Sequence, residues 1–208
     1  MMHLGIKFEQ ALIYTLHVHG GHMRKGTSIP YFSHLMGVAA TVIEDGGTED
    51  EAIAALLHDA VEDQGGRPRL ADIKDRFGSG VAKLVEDCSD SLDGAAGDQK
   101  EEWGVRKRKY MLSVAHKSPS ALRVTVADKL HNARSIYPDA QTHGGALWAR
   151  FNKPPEQSIA YYSAFYEAVR VIHDTPATRE LGDAVRLLES LIADRQIYDR
   201  WYHQLLPF

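Results

Sequence analysis

The segment Thr48-Glu-Asp-Glu51-Ala-Ile-Ala-Ala-Leu-Leu-His58-Asp59-Ala-Val-Glu62-Asp63 constrains the fold more than any other part of the chain. Thr48 followed three residues later by Glu51 is a capping box, which opens a helix. That helix is expected to run to about Glu62. From Ala52 to Leu57 it is apolar on most sides, so it has to be central, with other elements packed around it.

The surrounding elements also read as helices. Phe8, Leu12, Ile13 and Leu16 keep helical spacing over residues 8–19, and Gly20-Gly21 ends that helix. A loop over 23–31 contains Arg24-Lys25-Gly26-Thr27 and leads into a helix from about Tyr31 to Glu44. Gly78 separates shorter helices over 68–77 and 79–90. Residues 92–98 read as a loop, followed by a charged helix over 99–116. Ser118-Pro119 is an N-cap with proline at the first helical position, starting a helix to about Ile136. Tyr137 to Gly145 is a connection, residues 156–173 an aromatic-rich helix, and Thr175-Pro176 opens a last one running towards 195. No strand pair, internal repeat or low-complexity tract stands out. Gly65-Gly66 and Gly144-Gly145 are turns rather than linkers. The expectation is all-α, one domain over 1–208, a bundle of about 8–10 helices.

Composition narrows the function. A 208-residue chain with 44% hydrophobic residues can bury a real core. No stretch approaches the ~20 apolar residues of a membrane span. Met1 to Phe8 lacks the basic and apolar regions of a secretion signal. The single cysteine, Cys88, cannot form an internal disulfide, which fits a cytoplasmic protein. A net charge of −4 does not indicate a strongly basic face for nucleic acid. An anionic substrate therefore needs a metal or local basic residues. Nothing in the pattern specifies an oligomeric state.

Candidate chemistry begins at His58-Asp59. Residues four apart share a helix face, so His58 is expected to align with Glu62 and Asp59 with Asp63. Four ionisable groups after an apolar run are costly unless paired, and a cation would resolve the cost. The plain alternative is a solvated helix end. His34, in Pro30-Tyr31-Phe32-Ser33-His34-Leu35, faces inward if Leu35, Val38 and Val42 mark the core; the alternative is an ordinary core histidine. Asp128 follows the apolar run Val124 to Ala127. Aspartate is a poor mid-helix residue and needs a partner there, either a basic side chain or a metal. Two histidines and two aspartates form a nitrogen and oxygen set suited to manganese, iron or zinc, with positions left for water and phosphate.

The order His34 … His58-Asp59 … Asp128 resembles the signature of the HD superfamily of phosphohydrolases. The flanking words are similar to the hydrolase domain of the RelA/SpoT alarmone enzymes, above all the stand-alone small alarmone hydrolases. They are Arg24-Lys25-Gly26-Thr27 with Pro30-Tyr31 and His34; Ala54 to Asp63; Phe77-Gly78; and Ala127-Asp128-Lys129-Leu130-His131-Asn132-Ala133-Arg134. These core motifs lie within 8–136. Trp148, Phe151-Asn152 and Tyr161-Tyr162 give a looser likeness, and helices over 145–208 are expected to complete the HD-type bundle.

The resemblance implies manganese-dependent removal of the 3′-pyrophosphate from guanosine tetra- and pentaphosphate. It makes His34, His58, Asp59 and Asp128 the metal ligands, and Glu62 and Asp63 the acidic pair that handles protons. It puts Arg24, Lys25, Asn132, Ser135 and Tyr162 against the nucleotide. Lys129 and Arg134 fit either that role or plain surface charge. Thr125 stands where the family commonly has lysine, and the loop between Lys25 and His34 is a little longer than in the long bifunctional enzymes. A chain of this length is expected to carry no synthetase domain, so the expected activity is hydrolysis alone. Alternatives are an adenosine analogue as substrate, an antitoxin role against an alarmone synthetase, another HD nucleotide phosphohydrolase, and a non-catalytic binding module.

Overall fold

The structure, a computed structural model, describes residues 3–89, 92, 102–151 and 153–207. Among them are the helices α1 (Ile6–Val18), α2 (Phe32–Glu44), α3 (Glu49–Leu57), α4 (Ala60–Asp63), α5 (Gly66–Cys88), α6 (Trp103–Val114), α7 (Pro119–His143), α8 (Pro155–Val169), α9 (Pro176–Glu189) and α10 (Arg195–Leu205). A 3₁₀ segment covers Gly144–Arg150. No strand forms among the described residues; one isolated bridge joins Met23 to Pro30. The all-α expectation holds. The expected loop over 92–98 and the start of the expected helix over 99–116 lie outside the described residues, Leu92 apart, as does Asn152.

Contacts divide the chain into two compact units. One holds residues 1–101 and 117–128, the other 102–116 and 129–208. In the first, α3 packs against α1, α2 and α5. Its residues from Glu51 to Leu57 are all buried, the central position that its composition requires. The expected capping box forms: the Glu51 N–H donates to Thr48 Oγ1 and the Glu51 carboxylate accepts from the Thr48 N–H at 2.6 Å. Around α3 lie Val38 and Val42 of α2, Ile73, Phe77, Val81 and Val85 of α5, and Val124 and Ala127 of α7. The Arg123 guanidinium donates to Glu51 at 2.7 Å, tying this end of α7 to α3.

In the second unit α8 packs against α6, α9 and α10. Trp103 meets Tyr161 and Trp201 edge-on, with ring centroids 6.1 and 6.0 Å away. Gly182 is required by a close approach: a Cβ there would sit 2.6 Å from the Tyr166 ring.

Three elements differ from expectation. The helix opened by Thr48 does not run unbroken to Glu62; it stops at Leu57 and resumes as α4 at Ala60. Asp59, with φ −95° and ψ −4°, occupies the bridge region between helix and strand, where active-site residues are often held. Second, α7 continues past Ile136 to His143 with Pro138 inside it. Proline removes one helical hydrogen bond but does not forbid a helix that is otherwise supported. Third, the chain breaks after Glu189 and forms α10, capped by Asp194, whose carboxylate accepts from the Ile197 N–H at 3.0 Å. The signal was present in that cap and in the stripe of Tyr198, Trp201 and Leu205.

Candidate metal centre

Three stretches of the first unit converge. His34 sits one turn into α2, on the same inward face as Leu35, Val38 and Val42, and is 1% exposed. His58 closes α3 and is 4% exposed. Asp59 opens α4. Asp128, on α7, is also buried. Two adjacent side chains on a regular helix point about 100° apart. The break at His58-Asp59 allows this pair to face one point, with Nε2 and Oδ2 only 3.0 Å apart.

The donor atoms crowd together. His34 Nε2 lies 3.3 Å from Asp128 Oδ1 and 3.9 Å from Asp59 Oδ2. His58 Nε2 lies 3.6 Å from Asp128 Oδ1. His34, His58 and Asp59 each offer one ligand atom, all within 4.8 Å of one another. Bonds of about 2.1 Å to a shared cation place neighbouring ligand atoms roughly 3–3.5 Å apart, so this spacing fits a metal.

The tautomer fits as well. His58 Nδ1 lies 2.8 Å from the Ala55 carbonyl oxygen, which can only accept. The Nδ1 proton is therefore fixed, and Nε2 is aimed at the carboxylates, the arrangement common in metal-bound histidines. Burial disfavours a charged His58, yet the Asp59 and Asp128 carboxylates reverse this and raise its pKa well above the ordinary value. Burial likewise opposes ionisation of Asp59, but the charge and hydrogen bond of His58 hold its carboxyl below the usual range. The cluster calls for positive charge between two carboxylates, and a divalent cation meets that need.

Glu62 and Asp63 follow directly on α4, half-buried and exposed respectively. The Asp63 N–H donates to the Asp59 carbonyl at 3.0 Å, so helical spacing survives between those two. His58 ends α3 and Glu62 belongs to α4, with the turn at Asp59 between them. Arg24 and Lys25 occupy a tight loop in which the Arg24 N–H donates to the Ile29 carbonyl at 2.8 Å; Arg24 is half-buried and Lys25 exposed. Asn132, Ser135 and Tyr162 belong to the second unit. Asn132 lies one turn beyond Asp128 on α7, and the Ser135 hydroxyl donates to the Asn132 carbonyl at 2.8 Å. Tyr162 packs edge-on against Tyr161.

Two neighbours went without a role in the sequence reading. The Tyr31 hydroxyl donates to Asp59 Oδ2. Burial, then the charge of Asp59, push the Tyr31 phenol far above its ordinary range, so it stays protonated. His19 stacks on the Tyr31 ring and is 3% exposed, with no hydrogen bond at either ring nitrogen. Burial lowers its pKa to about 4. Tyr31 was visible as a residue one turn before His34; His19, between Val18 and Gly20, carried no signal.

The HD domain family model matches residues 11–153. The mouse protein named guanosine-3′,5′-bis(diphosphate) 3′-pyrophosphohydrolase MESH1 is 35% identical over 130 residues, which is 61% of this chain and 68% of the mouse protein. The human protein of the same name is 37% identical over 109 residues, 51% of this chain and 56% of its own length. A guanosine-3′,5′-bis(diphosphate) 3′-pyrophosphohydrolase from Aquifex aeolicus is 33% identical over 131 residues, 63% of this chain but only 18% of that longer protein. Among solved structures, one described as a metazoan ortholog of SpoT that hydrolyses ppGpp superposes with a TM-score of 0.71 at 23% identity, covering 92% of this chain and all of that one. A Listeria monocytogenes structure gives 0.61 at 24% identity, covering 77% and 99%. Both share the fold.

Proposed function

Because the chain belongs to the HD domain family, we propose that it is a metal-dependent hydrolase that removes the 3′-pyrophosphate of guanosine tetra- and pentaphosphate, with manganese as the metal. The observation that carries this reading is the convergence of two imidazoles and two carboxylates in one cluster, buried but for the half-buried Asp59. The names of the mouse and human relatives support the substrate.

In this proposal His34, His58, Asp59 and Asp128 hold the cation. When bound, the ion supplies Lewis acidity towards water and neutralises phosphate charge. Glu62 and Asp63 do the proton work: one carboxylate takes the proton of the attacking water, and a proton returns to the departing 3′-oxygen. Water adds to the pyrophosphoryl group as the bond to the 3′-oxygen breaks, giving GDP or GTP and pyrophosphate. Arg24 and Lys25 hold phosphate charge or stack on the purine, which a guanidinium does well. Asn132, Ser135 and Tyr162 contact the nucleoside.

Purified protein supplied with manganese and guanosine tetraphosphate is expected to release GDP and pyrophosphate. Exhaustive chelation is expected to stop the reaction. The double variant Glu62→Gln, Asp63→Asn should lose turnover by at least ~100-fold, in the range of general acid–base contributions, while keeping its circular dichroism and its metal. Full activity in that variant would remove the acidic pair from the mechanism. Running the adenosine 3′-pyrophosphate analogue alongside reads out base preference.

A further inference from the structure

We propose that Tyr31 is a positioning residue that fixes the Asp59 carboxylate with Oδ2 turned to the metal ion, a reading that rests on the metal centre proposed above. The Tyr31 hydroxyl donates to Asp59 Oδ2. That same oxygen lies 3.0 Å from His58 Nε2 and 3.9 Å from His34 Nε2, so it is the one turned towards the imidazoles. An ionised carboxylate oxygen offers about two lone pairs. With the hydroxyl on one, the other remains for a cation, and the hydrogen bond holds the carboxylate with this oxygen turned towards the imidazoles.

The tyrosine is itself held from several sides. The imidazole of His19 lies against its ring, centroids 5.5 Å apart and planes 30° apart. His22 meets the ring edge-on at 6.2 Å. The Tyr31 N–H donates to the His22 carbonyl at 2.8 Å, and the Gln64 amide lies 2.8 Å from His22 Nε2. Tyr31 also starts the helix that carries His34, whose N–H donates to the Tyr31 carbonyl at 2.9 Å. One residue thus braces an oxygen donor and the base of a nitrogen donor. Outer groups of this kind orient metal ligands, and their loss typically costs about 10- to 100-fold in metal affinity.

Tyr31→Phe keeps the ring and its stacking and removes only the hydroxyl. Metal-free wild type and variant are titrated with cobalt(II), followed by calorimetry and visible absorption. The expected result is cobalt binding by both, about 10- to 100-fold weaker in the variant, with displaced d–d bands. Matching circular dichroism and melting of the two metal-free proteins separate this from a folding defect. Equal affinity and identical bands would overturn the role of Tyr31 and leave the metal centre standing. No cobalt uptake by the wild type would overturn both. Should the variant fail to fold, the Cζ carbon resonance of Tyr31 in wild type, followed through a zinc titration, decides. A shift of that resonance on zinc binding is expected, and a resonance that does not move overturns the role of Tyr31.

Discussion

Histidine at position 19 shows how burial alone sets a charge state. Burial comes first in lowering its pKa to about 4, with Asp59 opposing and the positive partners His22, His58 and Arg69 assisting. A base depressed in the folded state stays neutral there, while the unfolded chain takes up a proton near pH 6.5. Stability is therefore complete above about pH 6.5 and declines as pH falls towards 4. Each pH unit costs about 1.4 kcal/mol, so His19 should remove up to about 2 kcal/mol between pH 7 and pH 5. Urea titrations of wild type and His19→Phe at the two pH values check this: the variant should lose less stability on acidification. The sequence singled out His34, His58, Asp59 and Asp128 through their likeness to the HD signature, where the residue pattern alone left ordinary core or solvated roles open. It could not reveal the Tyr31 to Asp59 hydrogen bond, which joins residues 28 apart in the chain, or the stacking of His19 on Tyr31, since both depend on how the chain folds back on itself.

Helix ends were read well where side chains cap them. Thr48 with Glu51 and Thr175 before Pro176 open helices as expected. Glycine placement was equally legible. Gly78 interrupts α5 with φ 89° and ψ 165°, a conformation that disfavours any residue with a Cβ. A Cβ there would meet nothing within 4 Å, so the penalty is purely in the backbone. Gly78→Ala should cost about 1–3 kcal/mol, measured by denaturant unfolding, without altering metal affinity. Less legible were the places where packing overrode local preference. The break after Leu57 follows no glycine or proline; it occurs where His58 and Asp59 must turn to one point. The extension of α7 through Pro138 and the separate α10 likewise depend on surroundings that spacing alone does not describe.

For the molecule as a whole, the metal centre should couple to stability. A ligand that binds only the native state at 100 times its Kd adds about 2.7 kcal/mol. For a chain of this size each kcal/mol moves Tm by roughly 2–4 °C. Saturating manganese should thus raise Tm by roughly 5–10 °C, chelation should reverse the rise, and Asp128→Ala should abolish it. A Tm indifferent to manganese would count against the centre. Among the described residues no helix is long and apolar enough to cross a membrane. By itself the sequence determined the helical class and the burial of α3, because caps and apolar periodicity act over a few residues, and it named the four residues of the cluster through the spaced words of the family resemblance. Only the tertiary structure decided the turn at Asp59, the clamp on Tyr31 and the 3–4 Å spacing of the donor atoms, because these arise where α2, α3, α4 and α7 pack together and no local pattern encodes a distance between segments.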